Sequence, residues 1–307
     1  MISKMIKEKN KVESKEYNPK HTLLVDISNI FWVLRFSLLK SNEYDLHGSD
    51  LIFQNAFELL FDIKRKHEAD NIVLAFDSPN TWRKQKFPEY KQGRKTYSDV
   101  YADEIREKLE EFYNFFNDYT NILCLKVDES EADDIIRVYV DYRKDDEQVT
   151  ILSTDKDFIQ LTERSYVFLF DPVKRKYREP ENGIEEDLFI KCFRGDQGDN
   201  IKNIYPRIRT KNLLAAFNNN YEWTNLMETY NSELDSYVKD LYEQNKELID
   251  LRYHPQEIQD RILDQIESKK YENKFDQVAL KQELKRLDME KLVSQLDKKF
   301  LDDLKNK

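Results

Sequence analysis

Five short, nearly continuous apolar runs punctuate the first 170 residues: Thr22–Val25, Ile72–Phe76, Ile122–Val127, Val149–Leu152 and Tyr166–Phe170. Runs of that length without polar alternation suit strands buried on both faces, as in a parallel sheet. Between them apolar residues recur at helical spacing. Leu51–Lys66 carries Leu51, Phe53, Phe57, Leu60 and Phe61; Val100–Phe116 carries Ile105, Leu109, Phe112 and Phe116; Ala132–Tyr142 carries Ile135, Ile136, Val138 and Tyr139. This alternation predicts an α/β fold with a mainly parallel central sheet flanked by helices. Strand signals stop near residue 183. From 184 onward the pattern is helical: EEDLFIKCF, KNLLAAF, a long stretch Asn225–Leu251, Pro255–Ile266 and two amphipathic C-terminal pieces. Leu280, Leu284 and Leu287, then Met289, Leu292, Val293 and Leu296, form stripes that read as core-facing rather than partner-binding. Residues 1–20 are polar and lysine-rich, and read as a loose arm.

Composition narrows the class. The 307 residues are 39% hydrophobic and 13% aromatic, enough to build a core. No apolar stretch has the length of a membrane span, and the N-terminus lacks the apolar centre of a signal peptide. A cytoplasmic setting follows, the host cytoplasm for a phage-encoded chain. Two cysteines, Cys124 and Cys192, exclude a disulfide scaffold and argue against a zinc cage. Four scattered histidines do the same for a histidine-based triad. There is no GxxxxGK[ST] loop and no GxGxxG turn, which removes the P-loop and dinucleotide-binding classes. VDISN lacks the DxD that a phosphatase of the haloacid type places at its first strand.

Charge adds a segregation. Sixty acids against fifty bases give a net charge of -10. Bases nonetheless concentrate in three segments: six with one acid in 80–98, four with no acid in 172–178, and four with no acid in 201–212. Carboxylates gather where the predicted strands end. Asp26 closes TLLVD and Asp77 closes IVLAFD; DESEADD supplies Glu131, Asp133 and Asp134; STDKD supplies Asp155 and Asp157. GDQGDN adds Asp196 and Asp199. Each alone could be a helix cap or a turn residue. In a parallel sheet, however, the carboxyl ends of the strands share one edge, where α/β proteins bind ligands. So many anions would repel one another unless neutralised, and an all-oxygen set without His or Cys suits Mg²⁺ or Mn²⁺. Facing basic patches, such a site implies a phosphate substrate, and two ions can support phosphodiester hydrolysis.

The segments VDISN, FDSPNTWRK, FPEYKQGR, ESEADD, STDKDF and RGDQGDN, in this order over roughly residues 20–215, resemble the FEN-like 5′ nuclease family, most closely its T-even phage ribonuclease H branch. The resemblance implies a two-ion Mg²⁺ site, with Mn²⁺ as substitute. Asp26, Asp77, Glu131, Asp133 and Asp155 would serve one ion, Asp157, Asp196 and Asp199 the other, and Asp134 would share or support a ligand. It implies a helical arch over 80–118, in which Lys91 and Arg94 act on the scissile phosphate while Arg83 and Tyr90 contact nucleic acid, Tyr90 by stacking on a base. It places a helix–three-turn–helix at about 196–217 that grips duplex backbone. There the family's glycine-rich turn is replaced by IYPRIRTKN, which leaves a carbonyl-held monovalent cation without its usual residues and keeps Arg207, Arg209 and Lys211 for phosphate contact.

The expected organisation is therefore an arm (1–20), an α/β nuclease core with the arch (21–183) and a helical duplex-binding region (184–307). The expected activity is 5′ to 3′ exonuclease and flap endonuclease on DNA and RNA–DNA duplexes, removing RNA primers during replication. The chain would act as a monomer, with a single-strand-binding protein or sliding clamp as candidate partner. The alternatives are a PIN-like ribonuclease and a catalytically inactive fork-binding scaffold.

Overall fold

The computed structural model describes residues 20–41, 44–92, 100–143, 145–205, 207–269, 274–295 and 298–305. Its centre is a six-stranded sheet: β1 (His21–Asp26), β2 (Asn71–Ala75), β3 (Leu123–Leu125), β4 (Gln148–Leu152), β5 (Val167–Asp171) and β6 (Lys176–Arg178), in the order β3-β2-β1-β4-β5-β6. The first five strands run parallel, with Asp26 beside Ala75 and Val25 beside Leu152. The five apolar runs account for β1–β5. β6 pairs antiparallel with β5 and was not predicted, because KYR is polar, short and lies at the sheet edge.

Every residue of β1 is buried, as a doubly covered strand requires. Successive side chains point to opposite faces. Leu23 and Val25 join a cluster with Phe31, Phe53, Phe57, Phe61, Phe112 and Phe116, while Leu24 joins Ile135, Ile136, Ile258 and Ile262 on the other face. The first face is covered by α1 (Ile27–Ser41), α2 (Tyr44–Lys66) and α4 (Val100–Tyr119); the second by α5 (Ala132–Tyr142) and α10 (Gln256–Lys269). Helix α3 (Trp82–Lys86) is a single short element between β2 and α4. The sequence pattern did not single out α1, whose apolar residues run together without clear amphipathic spacing.

A third cluster forms around α6 (Ile184–Arg194), α7 (Thr210–Phe217), α8 (Asn220–Met227) and α9 (Val238–Ile249), centred on Phe189, Phe193, Leu213 and Tyr242. The expected continuous helix Asn225–Leu251 is broken. Between α8 and α9 a hairpin pairs Tyr230–Asn231 with Ser236–Tyr237. The Asn231 side chain accepts from the amides of Glu233 and Leu234, and Asp235 takes a left-handed φ of 52°, so local turn chemistry outcompetes the helix. The C-terminal stripes face the core as expected. Leu280 and Leu284 of α11 (Gln277–Arg286) and Leu292 of α12 (Glu290–Gln295) join the phenylalanine cluster. The last helix, α13 (Lys298–Leu304), is tied back by an ion pair from Lys64 to Asp303 at 2.8 Å. Residues after 255 thus return to the sheet rather than extending the third cluster. No helix among the described residues is long and apolar enough to cross a membrane.

Candidate active site

From β1 the chain adds strands in one direction as far as β3; β4 then pairs on the other side of β1. That reversal opens a crevice at the carboxyl ends of β1 and β4, where an open α/β sheet binds its ligand. Asp26 is the last residue of β1 and is only 6% exposed. Its Oδ1 accepts from the amide of Asn29 at 3.1 Å, and its Oδ2 from the Ser153 hydroxyl, just beyond β4, at 3.1 Å. Asp77 follows β2 and accepts from the Ala132 amide, in the first turn of α5, at 2.8 Å. Asp133 sits in the same turn. Asp155 follows β4 and caps a 3₁₀ segment (Lys156–Glu163) by accepting from the Asp157 amide at 2.9 Å.

These carboxylates feel one another. Burial, then the charges of Asp77 and Asp155, pushes Asp26 up to about 8. Burial and the charge of Asp155 hold Asp133 well above the ordinary carboxylate range. Among the described residues no basic side chain comes within ion-pair distance of Asp26, Asp77, Asp133 or Asp155. No three His, Cys, Asp or Glu side chains among the described residues are arranged to enclose an ion. The donor chemistry of these four aspartates is all oxygen, which hard divalent cations complement. The set therefore fits such an ion in donor type and in its excess of negative charge.

Asp157 and Asp196 are matched by one of the protein's own cations. Lys191 of α6 pairs with Asp157 and lies 3.3 Å from Asp196. Burial and Asp155 raise Asp157 to about 6; burial also raises Asp196, but Lys191 with the amides of Gly198 and Asp199 lowers it on balance. Burial alone would lower the Lys191 ammonium; its three aspartate neighbours hold it above its ordinary value. Asp196 opens the turn carrying Asp199, with Oδ1 accepting from the Gly198 amide at 2.8 Å. Gly195, at φ +65°, makes the bend possible: a Cβ there would lie 2.3 Å from the Ile201 carbonyl oxygen.

Four of the expected site residues, Arg83, Tyr90, Asp134 and Glu131, are placed beneath the site rather than at its surface. Arg83 does not face nucleic acid. It is 1% exposed, and its Nη1 donates to Glu131 Oε2 at 2.9 Å and to Asp134 Oδ2 at 3.0 Å. Its Nη2 lies 2.9 Å from Asp134 Oδ1 without hydrogen-bond alignment, and the guanidinium sits over the Trp82 ring. Tyr90 offers no stacking face: it is 5% exposed, packed in the third cluster, with its hydroxyl donating to Glu131 at 3.2 Å. Asp134 does not open toward an ion. Its Oδ2 also accepts from the Trp82 indole and the Glu131 amide, and its other oxygen is shut in beside Arg83. Glu131 belongs to the same unit. Lys91 donates to its Oε1 at 2.6 Å, and burial loses to Lys91 and Arg83, which pull it down to about 2. Two cations thus balance two carboxylates beneath the site. Lys91 remains partly exposed at its rim; burial pulls its ammonium down, but Glu131 together with Tyr90, Asp199 and Asp133 holds it well above the ordinary range.

Arg207, Arg209 and Lys211 are exposed around the start of α7. Arg94 lies outside the described residues, as does part of the expected arch. Sequence reasoning missed Lys191, whose signal was a lone lysine inside the apolar run FIKCF, four residues before GDQGDN. It also passed over Asn29, whose side chain accepts from the Thr154 amide and hydroxyl at 3.0 Å and ties the first turn of α1 to the segment after β4.

A 5′-3′ exonuclease of Mycoplasmopsis pulmonis is 30% identical over 177 residues, covering 52% of this chain and 56% of its own length. A flap endonuclease Xni of Psychromonas ingrahamii is 36% identical over 109 residues, covering 35% and 39%; that of Shewanella woodyi is 29% identical over 210 residues, covering 64% and 77%. The chain thus spans 56% and 39% of the first two of these relatives. Among solved structures, a bacteriophage T5 D15 flap endonuclease complex with DNA and metal ions superposes with a TM-score of 0.62 at 17% identity, over 82% of this chain and all of that one. A second T5 5′-exonuclease structure, with zinc bound, gives 0.58 at 20% identity, over 87% of this chain and 98% of that one. At those identities the structures establish the shared fold. Residues 21–188, which carry the whole sheet and all but two of the candidate acidic residues, match the family described as 5′-3′ exonuclease, N-terminal resolvase-like domain, and the chain belongs to that family.

Proposed function

We propose that this protein is a divalent-metal-dependent 5′ to 3′ exonuclease and flap endonuclease, hydrolysing phosphodiesters of DNA and of RNA–DNA duplexes, with RNA-primer removal during replication as its task. The observation that carries the reading is the group of four carboxylates without cationic partners among the described residues, at the switch point of a sheet whose family is that of 5′-3′ exonucleases. Relatives named 5′-3′ exonuclease and flap endonuclease support the direction of cleavage and the flap substrate.

In this reading Asp26, Asp77, Asp133 and Asp155 would hold one Mg²⁺, for which Mn²⁺ substitutes, and Asp157, Asp196 and Asp199 would serve a second once the Lys191 ammonium gives way. Bound there, the ions would activate water and stabilise the leaving oxygen. The chain's own residues do the rest. The Lys91 ammonium, fixed at the rim by Glu131, presents a positive charge to a non-bridging phosphate oxygen as negative charge develops. The charge-balanced unit of Arg83, Lys91, Glu131 and Asp134 fixes the start of α5 and with it Asp133. Arg207, Arg209 and Lys211 take duplex phosphates, which carry no sequence information, so recognition is of structure. A 5′-labelled flap substrate tests the reading. Mg²⁺ should release short 5′ products, and EDTA or Asp155→Asn should abolish them while binding persists. Metal-independent cleavage, or full turnover in Asp155→Asn, would contradict it.

A further inference from the structure

Two residues that bear side chains take left-handed backbone conformations where the arch base meets the GDQGDN turn: Lys91 at φ 54° and Asn200 at φ 59°. They are joined. The Lys91 amide donates to the Asp199 carbonyl at 2.8 Å, and the Asn200 side-chain amide donates to the Glu89 carbonyl at 2.9 Å. Between Glu89 and Lys91, Tyr90 is sunk into the third cluster with its hydroxyl on Glu131. Residues 89–91 are thereby held from the turn, from the helical cluster and from the acidic site. Asparagine tolerates the left-handed region, whereas lysine enters it seldom and stays only where surroundings impose it. A local turn contributes, with the Gln92 amide donating to the Glu89 carbonyl at 3.1 Å; the other imposing contacts come from residues 199 and 200, more than a hundred positions away in the chain.

We propose that Asn200 is a positioning residue for Lys91. Its amide grips the Glu89 carbonyl, keeps the Lys91 backbone left-handed and so sets where the Lys91 ammonium stands. The clasp ties the turn beside the basic segment 201–211 to the cation at the rim of the acidic cluster, so seating a duplex on that segment registers the ammonium against the phosphate to be cut. The inference deepens the 5′ nuclease reading and rests on it.

Asn200→Gly isolates the side chain, because glycine adopts the same backbone conformation freely and removes only the donor. Two measurements decide. Amide hydrogen exchange followed by mass spectrometry should show Lys91 exchanging about tenfold faster or more, with the helices at 132–142 and 184–194 unchanged. Single-turnover cleavage at saturating enzyme should slow by about tenfold while duplex affinity stays within roughly twofold. In a Lys91→Ala background the same substitution should change the rate by less than roughly twofold, since its effect passes through Lys91. Unchanged exchange at Lys91, or an equal loss of rate in both backgrounds, or a loss confined to affinity, would overturn the proposal. If the wild-type protein does not cleave 5′ flaps at all, the nuclease reading fails, and the clasp itself stands or falls on the Lys91 amide alone.

Discussion

Arg83→Met is the perturbation that most sharply separates a surface base from a structural one. Methionine keeps the length of the apolar stem and removes the charge. Arg83 is 1% exposed and bonds both Glu131 and Asp134, so its loss leaves two buried carboxylates with Lys91 as their remaining cation. Breaking a buried pair from one side costs about 3–5 kcal/mol. At about 2 °C per kcal/mol for a chain of this size, the melting temperature should fall by about 6–10 °C. Arg83→Lys should recover little, because an ammonium cannot reproduce the two-pronged guanidinium contact. Adding Asp134→Asn to Arg83→Met should recover part of the loss by removing the orphaned charge. Urea and thermal denaturation in EDTA, with duplex binding measured by anisotropy over a range of salt, give both readouts. A variant as stable as wild type that binds duplex more weakly would refute the structural role and restore Arg83 to the nucleic-acid surface.

Other consequences follow from the same charges. Asp26 titrates near 8 in the fold against an ordinary 3.8, so between those values the folded chain binds more protons than the unfolded one. Its contribution to metal-free stability is full below about pH 3.8 and lost as pH rises through about 8. Asp26→Asn should therefore stabilise the EDTA-treated protein at pH 8, by on the order of 2–4 kcal/mol, and not at pH 4; equal effects at both would contradict the shift. Neutralising Arg207, Arg209 and Lys211 together should lower the slope of log K against log salt by about 2–3 on duplex substrates, and an unchanged slope would mean the segment does not touch the backbone. Lys91→Ala should slow single-turnover cleavage by about 10²-fold with little change in duplex affinity; a rate within about threefold of wild type would leave the ammonium without a role in catalysis.

Much of this site was visible in the sequence because a strand's end is easy to read. Apolar runs buried on both faces announced β1 to β5, and parallel topology alone then gathered Asp26, Asp77, Asp133 and Asp155. What the sequence hid is pairing across long separations. NTWRKQK looks like a solvated basic run, yet one turn of helix buries Trp82 and Arg83 and exposes Lys84, Gln85 and Lys86. Only the distant Glu131 and Asp134 decide which lysine or arginine of such a run goes inside. Tyr90 was misjudged for the same reason, since its cavity is built by residues 188–249. Lys191 escaped because a single lysine among aromatics carries no periodic signal; its partners, Asp157 and Asp196, lie on separate elements. The broken helix at 228–237 shows local turn chemistry winning over an extended helical pattern.

The central claim is that the carboxylates at the carboxyl edge of the sheet are the seat of divalent ions. Anomalous diffraction from crystals grown or soaked with Mn²⁺ tests it without recourse to activity. A peak should lie among the side chains of Asp26, Asp77, Asp133 and Asp155, and Asp155→Asn should weaken or remove it. Mn²⁺ found only on the protein surface, with that crevice empty at saturating metal, would contradict the account.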